Sequence, residues 1–289
     1  MSRFKVDFIG VGVPRCATTW VSSCLAAHPR IGFSSMKETH FFDKIFKSDD
    51  DLPLYESYFT EDPEKIRGEF TPAYYQDENI AKTIKKFFPA VKIIVCLRNP
   101  VERAFSHYIY SKRKGSGGKQ SFKEIIRPDH PLIKRGFYYR YLSQFLTHFD
   151  KQQVIILYYD EIRRNPPAVL EKLYRFLGVD PAFQPDRLAK KQNASDAIGY
   201  KYLFINRIIH NMRKILAAVP CSRNIRYLLR GLGIRKVVGF ILKKNRDANA
   251  KAVQEVPDRD SVKKLKKIYR ADIICLEKYL ETDLQAWYR

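Results

Sequence analysis

The sequence predicts an α/β fold: a central parallel β-sheet flanked by helices, followed by a helical C-terminal region. Three observations predict it. The stretch FIGVGVPRCATTW, residues 8 to 20, reads as a strand, a tight loop and a helix start. VKIIVCLRNP, residues 91 to 100, is a strongly apolar strand that runs directly into a helix. Strands and helices then alternate as far as Gly178, which implies parallel strands joined by crossover helices.

The first unit begins with Val6, Phe8, Ile9 and Val11, good strand formers interrupted by Gly10 and Gly12. Pro14 forbids an ordinary continuation of the strand. From Ala17 the chain reads as helix, with Trp20, Val21, Cys24 and Leu25 on one face and Pro29 beyond its end. Residues 31 to 43 read as a short extended piece, and 44 to 66 as loop with a short helix. RGEFTPAYY, residues 67 to 75, is a short strand stopped by Pro72. A basic helix over 77 to 88 is halted by Pro89. After VKIIVCLRNP, Asn99 and Pro100 read as N-cap and first residue of the next helix. A basic loop over 112 to 121, a helix over 136 to 149, a strand over 153 to 160 and a helix over 166 to 177 complete the core. Ligands of such sheets bind at the carboxyl ends of the strands. The loop at 12 to 19, Glu38 and Arg98 are therefore expected to converge there.

The loop is P-loop-like, and its chemistry suits an anion. A helix start presents free N–H groups and a partial positive charge. Here those belong to Cys16, Ala17, Thr18 and Thr19; the threonines add hydroxyls and Arg15 adds a guanidinium fork. The pattern departs from the nucleotide-triphosphate motif, because Ala17 stands at the second glycine and Thr18 at the lysine. The plain alternative is a βα turn that binds nothing. A second constellation follows the later strand. Arg98 leaves the sheet at the ligand end, and Ser106 shares a helix face with Arg103 and Tyr110. Arg98 and Ser106 could grip a second phosphate; on their own they read equally well as a surface ion pair and an ordinary serine.

The 289 residues carry a net charge of +22, from 53 Lys+Arg against 31 Asp+Glu. That excess predicts an anionic partner. No zinc-finger, RNP or KH pattern points to nucleic acid. Five scattered cysteines without a C-x-x-C read as reduced thiols. With no apolar run long enough to span a bilayer and no secretory leader, the expected location is cytoplasmic; loss of a Golgi anchor is the alternative. Residues 200 to 250 hold 12 Lys+Arg and one acid, Asp247. They read as a basic helical insertion packed on the core, with an anionic acceptor or a membrane surface as its other possible contacts.

The loop G-x-P-R-x-x-T-T and the later R-N-P-x-x-R-x-x-S-x-Y together resemble the sulfotransferases that use 3′-phosphoadenosine 5′-phosphosulfate. MKETHFFD, residues 36 to 43, resembles the segment of the heparan-sulfate type enzymes that bears the catalytic glutamate. GEFTPAYY and the C-terminal segment 269 to 287 extend the similarity. It covers residues 5 to about 195 and again from about 258, within one domain spanning 1 to 289. The resemblance implies that Arg15, Cys16, Ala17, Thr18 and Thr19 hold the 5′-phosphosulfate. It gives the 3′-phosphate to Arg98 and Ser106 and places Tyr138, beside Gly136, near the donor. Lys190 and Lys191 lie where the family carries a further basic loop. Glu38 is implied as general base and Arg15 as the group that meets leaving-group charge. His40 would orient the base or touch the acceptor. Asp43 reads as an acceptor contact or a helix N-cap. The scheme calls for no metal. The implied acceptor is a hydroxyl or amine of a carbohydrate or other small molecule. The competing readings are a nucleotide kinase-like phosphotransferase and a non-catalytic anion-binding module. Phe70 stands where the heparan 3-O enzymes carry a lysine, a departure that bears on the acceptor.

Overall fold

The computed structural model describes residues 4–59, 62, 64–114, 120–186, 199–200, 246–247 and 257–289. Its centre is a five-stranded sheet: β1 (Phe8–Gly12), β2 (Ile31–Phe33), β3 (Ile66–Phe70), β4 (Lys92–Leu97) and β5 (Val154–Tyr158). The order is β2-β3-β1-β4-β5, and every pairing is parallel. Crossovers run through α1 (Thr18–Ala27), α2 (Leu52–Glu56) and α3 (Glu78–Phe87). Between β4 and β5 lie α4 (Pro100–Arg113), α5 (Phe122–Ile125), α6 (Pro131–Lys134) and α7 (Tyr138–Leu146). After β5 come α8 (Tyr159–Arg164) and α9 (Pro166–Leu177). The last helix, α10 (Arg259–Leu280), packs on α7 and α4.

Several boundaries differ from the sequence expectation, each for a local reason. β1 runs through both glycines. A Cβ on Gly10 would stand 2.2 Å from the Phe70 ring, and one on Gly12 2.8 Å from Tyr75, so these glycines make room for aromatic neighbours rather than ending the strand. Of residues 31 to 43 only the first three are strand. Asp43 lies inside a π-helical turn, Phe41–Ile45, and caps no helix. The strand expected to reach residue 160 ends at Tyr158, where the chain turns straight into α8. Asn99 does cap α4, accepting from the Val101 N–H at 3.0 Å, with Pro100 at the first position.

The core is continuous across both faces of the sheet, from Phe8, Ile9 and Val11 through Ile93–Leu97 to Leu265, Tyr269 and Ile273 of α10. Gly136 shows how tightly α10 closes on it. A Cβ there would meet the Tyr269 ring at 2.6 Å, while the Tyr269 hydroxyl donates to the Ile133 carbonyl at 2.8 Å. Asp272 of the same helix accepts from the Tyr139 and Arg140 N–H groups, both at 3.0 Å, and so caps α7 from outside.

Most of the basic segment 200 to 250 lies outside the described residues. Within it, Tyr200 pairs antiparallel with Arg246, and Gly199 with Asp247. Among the described residues no helix is long and apolar enough to cross a membrane. Cys16, Cys24 and Cys96 are buried free thiols, while Cys275 is exposed.

Candidate active site

The carboxyl ends of the parallel strands β1, β3 and β4 lie along one edge of the sheet, and the segments that follow β1, β2 and β4 carry Arg15, Glu38 and Arg98. The β1–α1 loop is wound by two non-glycine residues in the left-handed region, Arg15 at φ 75° and Ala17 at φ 64°. Left-handed residues in a tight turn aim successive N–H groups into one concavity, the geometry of an anion nest. Ala17 stands at the N-cap of α1 and offers no side-chain cap, so the helix start is left to whatever binds there. Thr18 is buried and Thr19 exposed. Cys16 corrects the expectation in part. Its side chain is fully buried, burial pushes its thiol up to about 11, and its N–H donates to the Val13 carbonyl at 3.3 Å.

Arg15 reaches across to α4. Its guanidinium donates to Ser106 Oγ from Nε at 3.2 Å and Nη2 at 3.0 Å, and lies 4.6 Å above the Tyr110 ring. Ser106 was expected to work with Arg98. Instead Arg98 donates to Glu102 at 3.0–3.1 Å and rests 4.2 Å above the Tyr159 ring. Both arginines are thus carried on aromatic faces at the cleft, and each is held by a neighbour on α4. Arg103 leaves the face it shares with Ser106 in sequence. It is fully buried, with Nη2 on the Leu132 carbonyl and Nη1 3.3 Å from His107 Nδ1. Burial and that cation push His107 down to about 2, so it is neutral.

Tyr138 lies beside the β1–α1 loop, with its hydroxyl near the Cys16 side chain. Its ring is fully buried against Trp287, with 6.2 Å between centroids, and its hydroxyl donates to the Arg98 carbonyl at 2.9 Å. It supports the backbone at Arg98. Lys190 and Lys191 lie outside the described residues.

The turn after β2 carries the acid–base groups. Glu38 is partly exposed, and its Oε2 lies 3.5 Å from His40 Nε2. His40 Nδ1 lies 2.9 Å from Asp43 Oδ2. The hydrogen bond to His40 holds the Glu38 carboxyl below its ordinary value of 4.5, with Lys37 adding to the effect. Asp43 first, and Glu38 second, push His40 up to about 9. At neutral pH Glu38 is therefore a carboxylate and His40 an imidazolium. Lys37 ties this turn to the loop. Its Nζ donates to Thr19 Oγ1 at 2.8 Å and lies 3.6 Å from Glu38 Oε1. No sequence spacing signals the contact of Lys37 with Thr19, because it depends on how α1 and the turn meet.

Comparisons with known proteins bear on the family. The chain is 28% identical over 196 residues to human bifunctional heparan sulfate N-deacetylase/N-sulfotransferase 2, covering 60% of this chain and 22% of that one. It is 24% identical over 263 residues to carbohydrate sulfotransferase 15 of mouse, covering 66% of this chain and 46% of that protein. The chain therefore spans between about a fifth and a half of the length of these relatives. Among solved structures, a sulfotransferase from Alicyclobacillus acidocaldarius superposes with a TM-score of 0.68 at 22% identity, covering 99% of this chain and all of that one, which is a likeness of fold. Residues 5–195 match the family model described as "Sulfotransferase domain", and the chain belongs to that family.

Proposed function

We propose that this protein moves a sulfuryl group from 3′-phosphoadenosine 5′-phosphosulfate to a hydroxyl or amine of a carbohydrate acceptor, with Glu38 as general base. The observation that carries the reading is the bridge from donor loop to base: Thr19, Lys37 and Glu38 are linked at 2.8 and 3.6 Å. In-line transfer needs the donor's phosphate and the acceptor's nucleophile on either side of one sulfur atom. The uncapped start of α1 and Arg15 suit the 5′-phosphate side; Glu38 and His40 suit the acceptor side.

In the reaction the acceptor oxygen bonds to sulfur as the bond from sulfur to the 5′-phosphate oxygen breaks. The electron pair of the broken bond stays on that oxygen, and the acceptor proton goes to a carboxylate oxygen of Glu38. Arg15 and the N–H groups at the start of α1 meet the charge that grows on the leaving oxygen. A carboxylate with a depressed pKa is a weak base but is ionised at every physiological pH. A loose transition state removes the acceptor proton late, and a weak base suffices for that.

The similarity to heparan sulfate and carbohydrate sulfotransferases supports a carbohydrate acceptor. The charge of +22 supports one that is itself anionic. Binding of 3′-phosphoadenosine 5′-phosphate but not of ADP or ATP, together with transfer of labelled sulfate to an acceptor panel containing acidic oligosaccharides, tests the proposal. Tighter binding of ATP, with phosphate transfer, would replace it by the kinase-like reading. Donor binding without any transfer would leave a binding module.

A further inference from the structure

Glu69 lies one residue from the end of β3, and its side chain is fully buried. Its two oxygens accept from four hydroxyls. Oε2 accepts from Thr39 and Thr71, each at 2.6 Å, and Oε1 from Tyr55 at 2.8 Å and Tyr74 at 3.2 Å. Burying a carboxyl is costly, and nothing about a sheet interior requires one. An apolar residue at that place would pack without the cost. What the carboxyl contributes must therefore be sought in the hydroxyls it holds.

Three of those hydroxyls hand on a hydrogen bond to one short stretch of backbone. Thr71 Oγ1 accepts from the N–H of Thr39 at 3.1 Å and of His40 at 3.4 Å. Thr39 Oγ1 accepts from the Phe41 N–H at 3.2 Å. The Tyr74 hydroxyl accepts from the N–H of Phe41 at 3.0 Å and of Phe42 at 3.3 Å. A hydroxyl has one proton and two lone pairs. While its proton is committed to Glu69, its lone pairs are left for N–H groups. The carboxylate thereby turns three hydroxyls into acceptors for residues 39 to 42. That backbone needs holding, because His40 sits in the left-handed region at φ 50°. Thr39, the residue tied directly to Glu69, stands between Glu38 and His40.

We propose that Glu69 is a positioning residue: through Thr39, Thr71 and Tyr74 it fixes the turn so that Glu38 and His40 project into the cleft together, 3.5 Å apart. It touches neither donor nor acceptor. The proposal rests on the sulfotransferase reading for its effect on turnover, but not for its effect on geometry, and the test separates the two.

The test compares Glu69→Gln, Thr39→Val and Thr39→Ser with the unmodified protein. Valine keeps the shape of Thr39 and removes its hydroxyl; serine keeps the hydroxyl. Two quantities are read besides turnover: affinity for 3′-phosphoadenosine 5′-phosphate, and the titration of His40 by imidazole NMR. Glu38, Asp43 and Lys44 are the charged groups that act on that imidazole. Thr39→Val and Glu69→Gln are expected to lower kcat by roughly 10–100-fold, the scale of a small misplacement of reacting groups. Nucleotide affinity should hold, because the β1–α1 loop is untouched. The His40 midpoint should drop from about 9 toward its ordinary 6.5, and Thr39→Ser should restore both quantities. A folded Thr39→Val protein with unchanged His40 titration overturns the proposal, even where Glu69→Gln fails to fold. So does a serine variant no better than valine, or a loss of nucleotide binding that matches the loss of kcat. If the unmodified protein transfers no sulfate at all, the sulfotransferase reading fails, while the His40 titration still decides the positioning.

Discussion

Arg15 and Ser106 are 91 residues apart in sequence, yet the arginine donates two hydrogen bonds to the serine hydroxyl, at 3.2 and 3.0 Å. This contact joins the β1–α1 loop to α4. On the proposed function, the loop would meet the 5′-phosphate of the donor and the start of α4 its 3′-phosphate. Ser106 touches the loop arginine, while Arg98 is held apart by Glu102.

The first prediction separates the two ends. Arg98→Ala should weaken binding of 3′-phosphoadenosine 5′-phosphate by ~1.5–3 kcal/mol, the scale of a charged hydrogen bond. Ser106→Ala should cost less. Adenosine 5′-phosphosulfate lacks the 3′-phosphate and should be nearly indifferent to Arg98→Ala. Calorimetric titration of both ligands checks this, and equal losses for the two would remove Arg98 from the 3′-phosphate.

Glu102 gives a prediction of opposite sign. Its carboxylate pairs with Arg98 at 3.0 Å and is about half exposed, so it would compete with a phosphate for that guanidinium. An exposed pair of this kind is worth about 0–1 kcal/mol, so Glu102→Gln should tighten nucleotide binding by up to about 5-fold. The gain should fade as salt rises. Weaker binding in the variant would mean that Glu102 orients Arg98 instead of competing for it.

The closing helix carries a prediction about stability. A Cβ on Gly136 would stand 2.6 Å from the Tyr269 ring, and that ring is locked by its own hydrogen bond to Ile133. Gly136→Ala should destabilise the fold by about 1–3 kcal/mol, as overpacking does. Denaturant unfolding measures it. Gly136→Ala combined with Tyr269→Leu, which shortens the ring, should recover part of the loss.

These cases show what could be read from sequence. The parallel sheet, the loop, Arg98 and the Asn99–Pro100 helix start were legible because strand propensity, glycine and proline placement, and capping are local. The glycines of β1 were legible as an interruption, and the register of β1 against β4 does shift between Gly10 and Gly12; that Phe70 and Tyr75 fill the space beside them lies across the sheet and was not legible along the chain. The contact of the Tyr138 ring with Trp287, 149 positions away, was not legible in the sequence. Likewise, the pairing of Ser106 with Arg15 rather than Arg98 is set by side-chain reach across the cleft. The spacing of Arg98 and Ser106 along the chain could not distinguish those partners.

The Glu38–His40–Asp43 trio predicts a pH profile. Glu38 ionises below the ordinary carboxylate range because His40 bonds to it, so the acidic limb of kcat/KM should lie below pH 4.5. His40 keeps its proton up to about pH 9, and turnover should fall above that as the imidazolium beside the base is lost. Asp43→Asn removes the main cause of the raised value, and the alkaline limb should move down toward 6.5. The stability signs follow from linkage. The raised His40 contributes stability that is complete below its unfolded value and is lost as pH rises through about 9. The depressed Glu38 contributes stability that is present above its ordinary 4.5 and is lost as pH falls through its lowered value. A Tm series across pH should show both losses shrink in Glu38→Gln, which lacks the carboxylate that each depends on.

Glu38→Gln also tests the chemistry. Glutamine keeps the size of the side chain and can still accept a hydrogen bond from His40, but it cannot take the acceptor's proton. Turnover should fall by ~10²–10⁴-fold, the usual range for loss of a general base. Affinity for 3′-phosphoadenosine 5′-phosphate should change little, because Glu38 stands on the acceptor side and meets the donor loop only through Lys37 and Thr19. The acidic limb should vanish with the carboxylate. Arg15→Ala is the control with a different signature. Its charge meets the 5′-phosphate both before and during transfer, so donor binding and turnover should fall together. Rapid-mix measurement of a single turnover, with donor saturating, isolates the chemical step in each variant. If Glu38→Gln transfers sulfate at the unmodified rate while its His40 still titrates well above 6.5, the trio is intact without the base. The proton must then leave through another group, and His40, still protonated, cannot be the one that takes it.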